Sequence, residues 1–182
     1  MISILHRKNI LITGCAGFIG YHLALKLLTK NYNVFGIDSI NNYYDINLKK
    51  KRLKQLQKYI NFTFYKNNLS NINFLLEKFK IIDLDFVFHL AAQAGVRLSF
   101  SEPDKYFNNN IKVFFTILEF SRFKKIKRLF YASSSSVYGN QKGKHHEKLN
   151  INPINFYGLT KKMNEDMANI YHQQFNLKSL AL

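Results

Sequence analysis

The sequence predicts an α/β fold, in which a doubly wound parallel sheet carries helices on both faces. Short apolar runs alternate with longer amphipathic segments along most of the chain, which is the pattern of strand–helix–strand crossovers. A glycine-rich turn joins the first run to the first amphipathic segment. The chain has 182 residues, 47% of them apolar and only two of them proline, so it is long enough to bury one substantial core.

Six strands and five helices follow one another in the predicted order. The apolar runs predict strands at Asn9–Thr13, Asn33–Asp38, Phe62–Tyr65, Asp85–Leu90, Arg128–Ser133 and Lys178–Leu182. The amphipathic segments predict helices at Phe18–Lys30, Ile46–Tyr59, Ile72–Phe79, Asp104–Phe123 and Asn155–Phe175. Alternation this regular favours a parallel sheet. No repeat, linker or low-complexity segment divides the chain, so residues 1–182 are expected to form one domain.

The turn after the first strand carries a glycine motif, Thr13-Gly14-Cys15-Ala16-Gly17-Phe18-Ile19-Gly20. Gly14 suits a tight turn, Gly17 lets the backbone approach a pyrophosphate, and Gly20 permits close packing of helix on strand. The helix N-terminus adds free N–H groups and positive potential. Asp38 ends the second strand, where a carboxylate binds the adenosine ribose and repels a 2′-phosphate. The motif therefore predicts a dinucleotide site that prefers NAD to NADP.

A tyrosine and a lysine one helical turn apart, Tyr157 and Lys161, are the candidates for acid–base chemistry. Residues at i and i+4 share a helix face, so the ammonium can stabilise the phenolate and make Tyr157 a general base near neutral pH. Tyr138 and Lys142 have the same spacing, but Gly139 and Asn140 between them favour a turn. Only the Tyr157 pair is predicted to lie on a helix.

Four serines, Ser133 to Ser136, end the fifth predicted strand, and an irregular segment from Gly139 to Pro153 follows. Ligands bind outside the carboxyl ends of the strands in an open parallel sheet. A hydroxyl in this run is therefore expected to hydrogen-bond a substrate oxygen and the Tyr157 phenol. Capping of the strand end is the alternative role for any single serine. The irregular segment is a candidate functional loop because of its length and position.

The other reactive side chains are predicted to be structural. Cys15 is the one cysteine in the sequence, which excludes an internal disulfide and a cysteine-based metal site, and it is expected to be a packing residue. His89 lies in an apolar strand and is expected to be a hydrogen-bonded core residue. His145 and His146 are adjacent and would point apart in an extended loop, so no metal site is predicted.

The formal net charge of +16 makes nucleic acid a partner to consider. The basic residues between Lys49 and Lys58 are interleaved with leucines, however, and are predicted to form the solvated face of an amphipathic helix. No specific nucleic-acid partner is therefore predicted. No apolar run approaches the roughly 20 residues of a membrane span, and Ile2 to Leu5 is too short for a signal peptide. A cytoplasmic protein without membrane association is expected.

Five features occur together and in order: the glycine turn, Asp38, His89–Gln93, Ser133–Gly139 and Tyr157–Lys161. In this combination the chain resembles the extended short-chain dehydrogenase/reductase family of NAD-dependent nucleotide-sugar epimerases and dehydratases, which has a Rossmann-like fold. Two further segments, Asn42-Tyr43-Tyr44-Asp45 and Ala94-Gly95-Val96-Arg97, look most like those of UDP-glucuronate 4-epimerases. The resemblance covers essentially the whole chain.

The resemblance implies roles for the matching residues. Tyr157 would be the general base, Lys161 would lower its pKa and hold the nicotinamide ribose, and Ser134 would bridge the proton. Arg97, Ser135 and Ser136 would contact the substrate. The implied NAD-binding residues are Gly14, Gly17, Phe18, Ile19, Gly20, Asp38, Asn68, Leu69, Ala91, Ala92, Asn110, Tyr157 and Lys161.

The reaction implied by the resemblance is epimerisation at C4 of a UDP-sugar through a 4-keto intermediate, without net consumption of NAD. UDP-glucuronate and UDP-galacturonate are the expected pair, and UDP-glucose is the alternative. Dehydratases of the family usually place an acid directly after the Ser134 position, whereas this chain has Ser135 and Ser136. Elimination is therefore disfavoured. A homodimer is expected.

Two features depart from the family pattern. Members commonly have an aspartate after the third strand to bind the adenine, and here Asn68 stands in its place, with a carbonyl that can accept the same hydrogen bond. Members also continue beyond the strand near Lys178 into a substrate-binding part, so the chain is expected to be C-terminally truncated at Leu182, without a second domain. Two other hypotheses therefore stay open: a non-catalytic NAD-binding remnant, and an anion-binding module that uses the net charge.

Overall fold

A six-stranded sheet forms the centre of the computed structural model, which describes residues 7–141 and 143–182. The strand order is β3-β2-β1-β4-β5-β6, and neighbouring strands are parallel throughout. The predicted doubly wound sheet is therefore confirmed. The strands are β1 (Asn9–Thr13), β2 (Asn33–Asp38), β3 (Phe62–Lys66), β4 (Phe86–His89), β5 (Arg128–Tyr131) and β6 (Ser179–Ala181).

Seven α-helices connect or flank these strands in the described part of the chain. They are α1 (Phe18–Thr29), α2 (Ile46–Leu56), α3 (Ile72–Lys78), α4 (Leu98–Ser101), α5 (Pro103–Tyr106), α6 (Val113–Phe123) and α7 (Phe156–Phe175). A π-helical segment, Phe107–Lys112, joins α5 to α6, and a 3₁₀ turn, Ser135–Tyr138, follows β5. Across residues 7–141 and 143–182, no helix combines the length and the apolar character needed to cross a membrane.

The two faces of the sheet bury two separate hydrophobic cores, because side chains alternate along each strand. Along β1, Ile10 and Ile12 point to one core, which α1 and α2 complete with residues such as Leu28 and Leu56. Leu11 points to the other core, which holds residues of α3, α6 and α7. Burial on both faces positions the carboxyl ends of the strands rigidly, and the candidate site lies at those ends.

The predicted helix Asp104–Phe123 is helical throughout, but it is not a regular α-helix in its first half. The structure has the short helix α5, then the π-helical segment, and only then α6. The widened turn lets the buried Asn110 side chain bond the backbone of Gln93 instead of packing as a regular helical residue. α4 lies between the predicted strand Asp85–Leu90 and the predicted helix Asp104–Phe123, where no helix was predicted.

The predicted solvated face of α2 is wrong for one of its lysines. Lys49 is 6% exposed, and its Nζ donates to Asn41 O at 2.9 Å and Asn41 Oδ1 at 2.7 Å. Burial lowers the pKa of this ammonium. Lys49 therefore anchors the loop that leads from β2 into α2, a role that helical periodicity does not reveal.

Candidate functional site

Four loops meet at the carboxyl edge of the sheet. They follow β1, β2, β4 and β5, and the strand order places β1 between β2 and β4. The chain reverses its winding direction between β1 and β4, and such a reversal opens a crevice where ligands bind in doubly wound sheets. Most residues with a predicted function lie in these loops or on α7.

The glycine turn after β1 is sterically compact. Gly14 has φ +73°, and a Cβ added there would lie 2.8 Å from Ala91 N. A Cβ at Gly20 would overlap Gly14 O. α1 begins at Phe18 with Gly17 as its N-cap, and no side chain caps it, so the first-turn N–H groups, including those of Phe18 and Ile19, are free of a side-chain cap. An anion can use these donors.

Asp38 stands beside this turn at the end of β2. Its side chain is buried, with Oδ2 accepting from Ala16 N at 3.1 Å and Oδ1 accepting from Ile40 N at 2.8 Å. Each carboxylate oxygen keeps lone-pair capacity for another donor. The carboxylate is therefore fixed next to the glycine turn and can still accept hydroxyl groups.

Asn68 lines a shallow hollow together with Ser39, Lys66 and Asn67. Ser39 directly follows Asp38 in the sequence, so the hollow lies beside the end of β2. Its Oδ1 already accepts from Ser70 N at 3.1 Å and Ser70 Oγ at 2.7 Å. The next residue, Leu69, is buried in a left-handed backbone conformation with φ +62°. A contact of Asn68 with adenine would compete with the Ser70 bonds, and this role stays a prediction.

The Tyr157–Lys161 pair lies on α7, as predicted. Asn155 caps the helix by accepting from Gly158 N at 2.7 Å. The Lys161 Nζ lies 5.9 Å from the centroid of the Tyr157 ring and donates to Ala132 O at 2.8 Å. Lys161 is 3% exposed, and burial lowers the pKa of its ammonium to about 8. A buried cation therefore lies beside a half-buried phenol.

The competing pair does not share this setting. Tyr138 ends a 3₁₀ turn, and Gly139 beyond it has φ +66°. Lys142 lies outside the described residues. The structure thus gives Tyr138 no helix on which an i+4 partner could share its face.

The serine run lies in the turn after β5 and packs against the start of α7. Ser134 Oγ accepts from Ser136 N at 3.2 Å and caps the 3₁₀ turn. A Cβ at Gly158 would lie 2.5 Å from Ser136 O, so the absence of a side chain there lets the turn approach Tyr157. Ser133 instead bonds Glu165 on α7. The expectation that the run ends the strand is wrong, since β5 stops at Tyr131.

The loop after β4 brings further predicted residues to the same edge. Ala91 N donates to Thr13 Oγ1 at 3.2 Å, Ala92 is exposed, and Arg97 is exposed where α4 begins. Asn110 is different, because its amide is occupied by protein. Its Oδ1 accepts from Gln93 N, and its Nδ2 lies 3.0 Å from Gln93 O and 3.1 Å from Thr160 Oγ1.

Two tyrosines at the site were given no role in the sequence analysis. Tyr106 is fully buried, and its ring packs edge-on against Tyr157 with centroids 6.1 Å apart. Tyr43 belongs to a segment that resembles the family, and its hydroxyl donates to Ala94 O at 2.7 Å. The resemblance was the available signal for Tyr43. Tyr106 had no such signal, because the sequence does not distinguish a functional tyrosine at helical spacing from an ordinary core residue.

The structural assignments of His89 and Cys15 are confirmed. His89 is buried, its Nδ1 lies 2.8 Å from Thr13 Oγ1, and burial together with the nearby Lys161 charge lowers its pKa to about 3. Cys15 is buried, and burial raises the pKa of its thiol. His145 and His146 are exposed. Within the described ranges, no three His, Cys, Asp or Glu side chains are grouped to hold a metal.

Known proteins share this architecture and sequence. A family model for GDP-mannose 4,6 dehydratase matches residues 11–182. The UDP-glucuronate 4-epimerase of Thermodesulfobacterium geofontis is 39% identical over 168 residues, which cover 92% of this chain and 52% of that protein.

Solved structures of other proteins share this architecture. The Bacillus cereus UDP-glucuronic acid 4-epimerase in complex with UDP-glucuronic acid and NAD superposes with a TM-score of 0.87 at 36% identity, over 95% of this chain and 55% of that one. The Brucella ovis UDP-glucose 4-epimerase in complex with NAD gives a TM-score of 0.84 at 27% identity, over 96% and 50% of the two chains.

The chain spans about half the length of the curated relatives it matches. The family model nevertheless matches nearly all of it, and the resemblance to NAD-dependent epimerases and dehydratases is confirmed. The chain belongs to the GDP-mannose 4,6 dehydratase family.

Proposed function

We propose that this chain carries the cofactor site and the acid–base residues of an NAD-dependent nucleotide-sugar 4-epimerase of the UDP-glucuronate/UDP-galacturonate type. The observation that supports it most is the buried Lys161 ammonium, 5.9 Å from the Tyr157 ring. Burying a lysine without a carboxylate partner is costly. An ammonium that the fold keeps buried at this cost is well placed to stabilise a phenolate.

The residues present fit NAD. The uncapped start of α1 offers N–H donors to a pyrophosphate, and Asp38 offers fixed acceptors to ribose hydroxyls. The same carboxylate disfavours the 2′-phosphate of NADP. Gly14, Gly17, Gly20, Asp38, Ala91 and Ala92 would hold the dinucleotide, with Lys161 near the nicotinamide ribose. When bound, NAD⁺ would accept a hydride from the sugar and later return it.

The proton steps belong to this chain's own side chains. Tyr157 would take the proton of the sugar C4 hydroxyl as hydride leaves that carbon, which gives the 4-keto sugar. Lys161 would stabilise the resulting phenolate, and Ser134 would bridge the sugar oxygen and the phenol. Return of the proton from Tyr157 and of the hydride to the other face of C4 gives the epimer. No atom is gained or lost over the cycle.

Epimerisation is favoured over dehydration by the residues after Ser134. Eliminating water from a 4-keto sugar needs a further acid and base, and this chain has Ser135 and Ser136 at the positions next to Ser134. Both residues lie in the 3₁₀ turn, which packs against the start of α7. They are proposed to contact the sugar, and the exposed Arg97 is proposed to meet the anionic part of the substrate.

The activity is tested by incubating the purified chain with NAD⁺ and UDP-glucuronate and separating UDP-galacturonate by anion-exchange chromatography. UDP-glucose is offered in a parallel reaction, because UDP-glucose 4-epimerases are among the structural neighbours. Tyr157→Phe should abolish turnover, and Tyr138→Phe should not. Turnover that survives in Tyr157→Phe would contradict the proposed base.

A second candidate is NAD binding without catalysis, supported by the glycine turn and Asp38, which can bind a dinucleotide independently of a substrate. Calorimetric titration with NAD⁺ and NADP⁺ separates the two candidates. Tighter binding of NAD⁺ together with absent turnover supports the second. Equal affinity for the two nucleotides would contradict the assignment of Asp38.

The chain is also proposed to form a homodimer through α6 and α7. Phe115, Phe123 and Phe175 are each about half exposed. Tyr171 links Phe115 to Phe175 by ring contacts, and the Arg122 guanidinium lies over the rings of Phe123 and Phe175. These five residues form one continuous patch, named the aromatic patch below. A second copy presents the same patch, and homodimers most often join one such surface to its copy about a two-fold axis.

A further inference from the structure

Two tyrosine hydroxyls meet at one backbone carbonyl in the loop after β4. Tyr43 OH lies 2.7 Å from Ala94 O. Tyr106 OH lies 2.9 Å from the same oxygen and 2.6 Å from Gly95 O. Tyr43 comes from the loop after β2, whereas Tyr106 comes from α5. The carbonyl of Ala94 therefore joins two loops and a helix that are separate in the sequence.

The bond from Tyr43 to Ala94 spans the carboxyl end of β1. β1 lies between β2 and β4 in the sheet, and the glycine turn follows β1 directly. A dinucleotide that extends from Asp38, at the end of β2, to Lys161, which bonds Ala132 after β5, must cross the same gap. The joined loops and the dinucleotide thus share one path across the sheet edge.

The loop that carries Tyr43 is anchored at both ends. At its start, Asn41 accepts two hydrogen bonds from the buried Lys49. At its end, Asp45 caps α2 by accepting from Asn47 N at 2.7 Å. Between these anchors residues 42–44 are exposed, and among the described residues their one hydrogen bond across the sheet edge is that of the Tyr43 side chain. Opening of this segment therefore depends on a single hydroxyl.

Gly95 makes room for that hydroxyl. It has φ +95°, and a Cβ at this position would lie 2.6 Å from Tyr43 OH. Any larger residue would displace the tyrosine and would also strain the backbone. The fit between Gly95 and Tyr43 is therefore specific.

We propose that residues 41–45, closed by Tyr43 on Ala94, form a strap that retains the dinucleotide in its crevice, with Tyr43 as a positioning residue. The identity of the ligand rests on the proposed function. An epimerase returns its hydride to the sugar in every cycle, so its cofactor has no need to leave. The bond from Tyr43 to Ala94 is also close to the candidate base, because Tyr106 contacts both Ala94 and the Tyr157 ring.

The test measures release of the reduced cofactor. The full chain is loaded with NADH and mixed with excess NAD⁺, and the decay of bound-NADH fluorescence gives the dissociation rate; the chain has no tryptophan to contribute emission. Tyr43→Phe should release NADH about three- to tenfold faster, the effect of one neutral hydrogen bond. Its association rate should rise in step, because the same bond must open for entry, and its thermal unfolding midpoint should fall by no more than a few degrees, the loss expected from one hydrogen bond.

Two further variants complete the design. Gly95→Ala should speed release in the same direction, because it displaces the Tyr43 hydroxyl from the other side. Tyr32→Phe is the matched control: it loses a hydroxyl at the amino-terminal end of β2 that makes no hydrogen bond with the described residues, and its release rate should equal that of the wild type.

Equal release rates for Tyr43→Phe and the wild type would overturn the strap, as would acceleration by Tyr32→Phe of the same size. Faster release in Tyr43→Phe from a chain that does not epimerise UDP-sugars would support the strap and contradict only the proposed activity. A wild-type chain that fails to bind NADH would overturn both.

Discussion

At the scale of one residue, burial of the Lys161 ammonium opposes stability. Its ammonium is buried and its pKa is lowered to about 8 from 10.5, so the folded chain binds fewer protons than the unfolded chain between these pH values. The free energy of unfolding therefore rises as pH increases from about 8 to 10.5. At pH 7 the full cost of the buried charge is present, about 3 kcal/mol.

Replacing Lys161 by methionine should therefore stabilise the fold while it abolishes the proposed activity. Met keeps the length of the side chain and removes the charge, at the loss of the bond to Ala132 O. We expect the free energy of unfolding at pH 7 to rise by about 1–2 kcal/mol, and the gain to disappear near pH 10.5. Urea denaturation at both pH values measures this, with the more exposed Lys162→Met as control. A variant less stable than the wild type at pH 7 would contradict the cost assigned to Lys161.

His89 gives a pH dependence of the same sign in a lower pH range. Its pKa is lowered to about 3 by burial and by the Lys161 charge, so the folded chain holds it neutral where the unfolded chain protonates it. Its contribution to stability is complete above the unfolded pKa of about 6.5 and is lost progressively as pH falls toward 3. The slope reaches about 1.4 kcal/mol per pH unit for this single proton.

His89→Gln should flatten the acid limb of the stability curve. Glutamine can still bond Thr13 Oγ1, but it cannot take up a proton. We expect the variant to lose stability more slowly than the wild type between pH 6 and pH 4, as measured by urea denaturation across that range. The exposed His172→Gln should leave the wild-type slope unchanged. Parallel acid limbs for His89→Gln and the wild type would show that His89 is not held neutral by the fold.

At the scale of elements, the π-helical segment between α5 and α6 depends on Asn110. The buried amide bonds the backbone N–H and C=O of Gln93 and the hydroxyl of Thr160. It thereby ties the loop after β4 to α7, the helix of Tyr157. Asn110→Ala should lower the free energy of unfolding by about 2–4 kcal/mol, because the polar groups of Gln93 would stay buried without partners.

Asn108→Ala is the matched control in the same segment. Asn108 is exposed and bonds only Asp104 O among the described residues, so its loss should change stability by less than about 0.5 kcal/mol. Denaturation of both variants by urea gives the comparison. Equal losses would mean that the π-helical segment is stabilised by its own backbone and not by the Asn110 clamp.

The glycine turn and Asp38 could be predicted from sequence because their chemistry is local. Glycine spacing sets the turn, and the carboxylate follows from the end of a strand. The clamp of Asn110 on Gln93 and the bond from Tyr43 to Ala94 join residues 17 and 51 positions apart. Hydrophobic periodicity reports which face of an element is buried, but it carries no information about the partner of a polar side chain. The π-helical segment escaped prediction for the same reason.

At the scale of the whole molecule, the net charge would oppose self-association, whereas the aromatic patch would favour it. The sequence carries a formal charge of +16, so two copies repel at long range. The aromatic patch on α6 and α7 is nearly neutral, because Arg122 is paired with Glu119 at 2.9 Å. The proposed association through the patch would be driven by apolar burial and opposed by the charge of the remaining surface.

Raising the ionic strength should therefore strengthen dimerisation. Salt screens repulsion between exposed charges, with a Debye length that falls from about 30 Å at 0.01 M to about 10 Å at 0.1 M, and it leaves apolar burial intact. Light scattering coupled to size exclusion should show a shift from the 21.4 kDa chain toward twice that mass as salt increases.

Phe115→Glu should hold the chain as a monomer at both salt concentrations, because it places a charge within the patch. Ile60→Glu, at a fully exposed apolar residue away from the patch, should dimerise as the wild type does. A dimer that weakens with salt would indicate an interface held by charges, and the aromatic patch would then not be the contact surface.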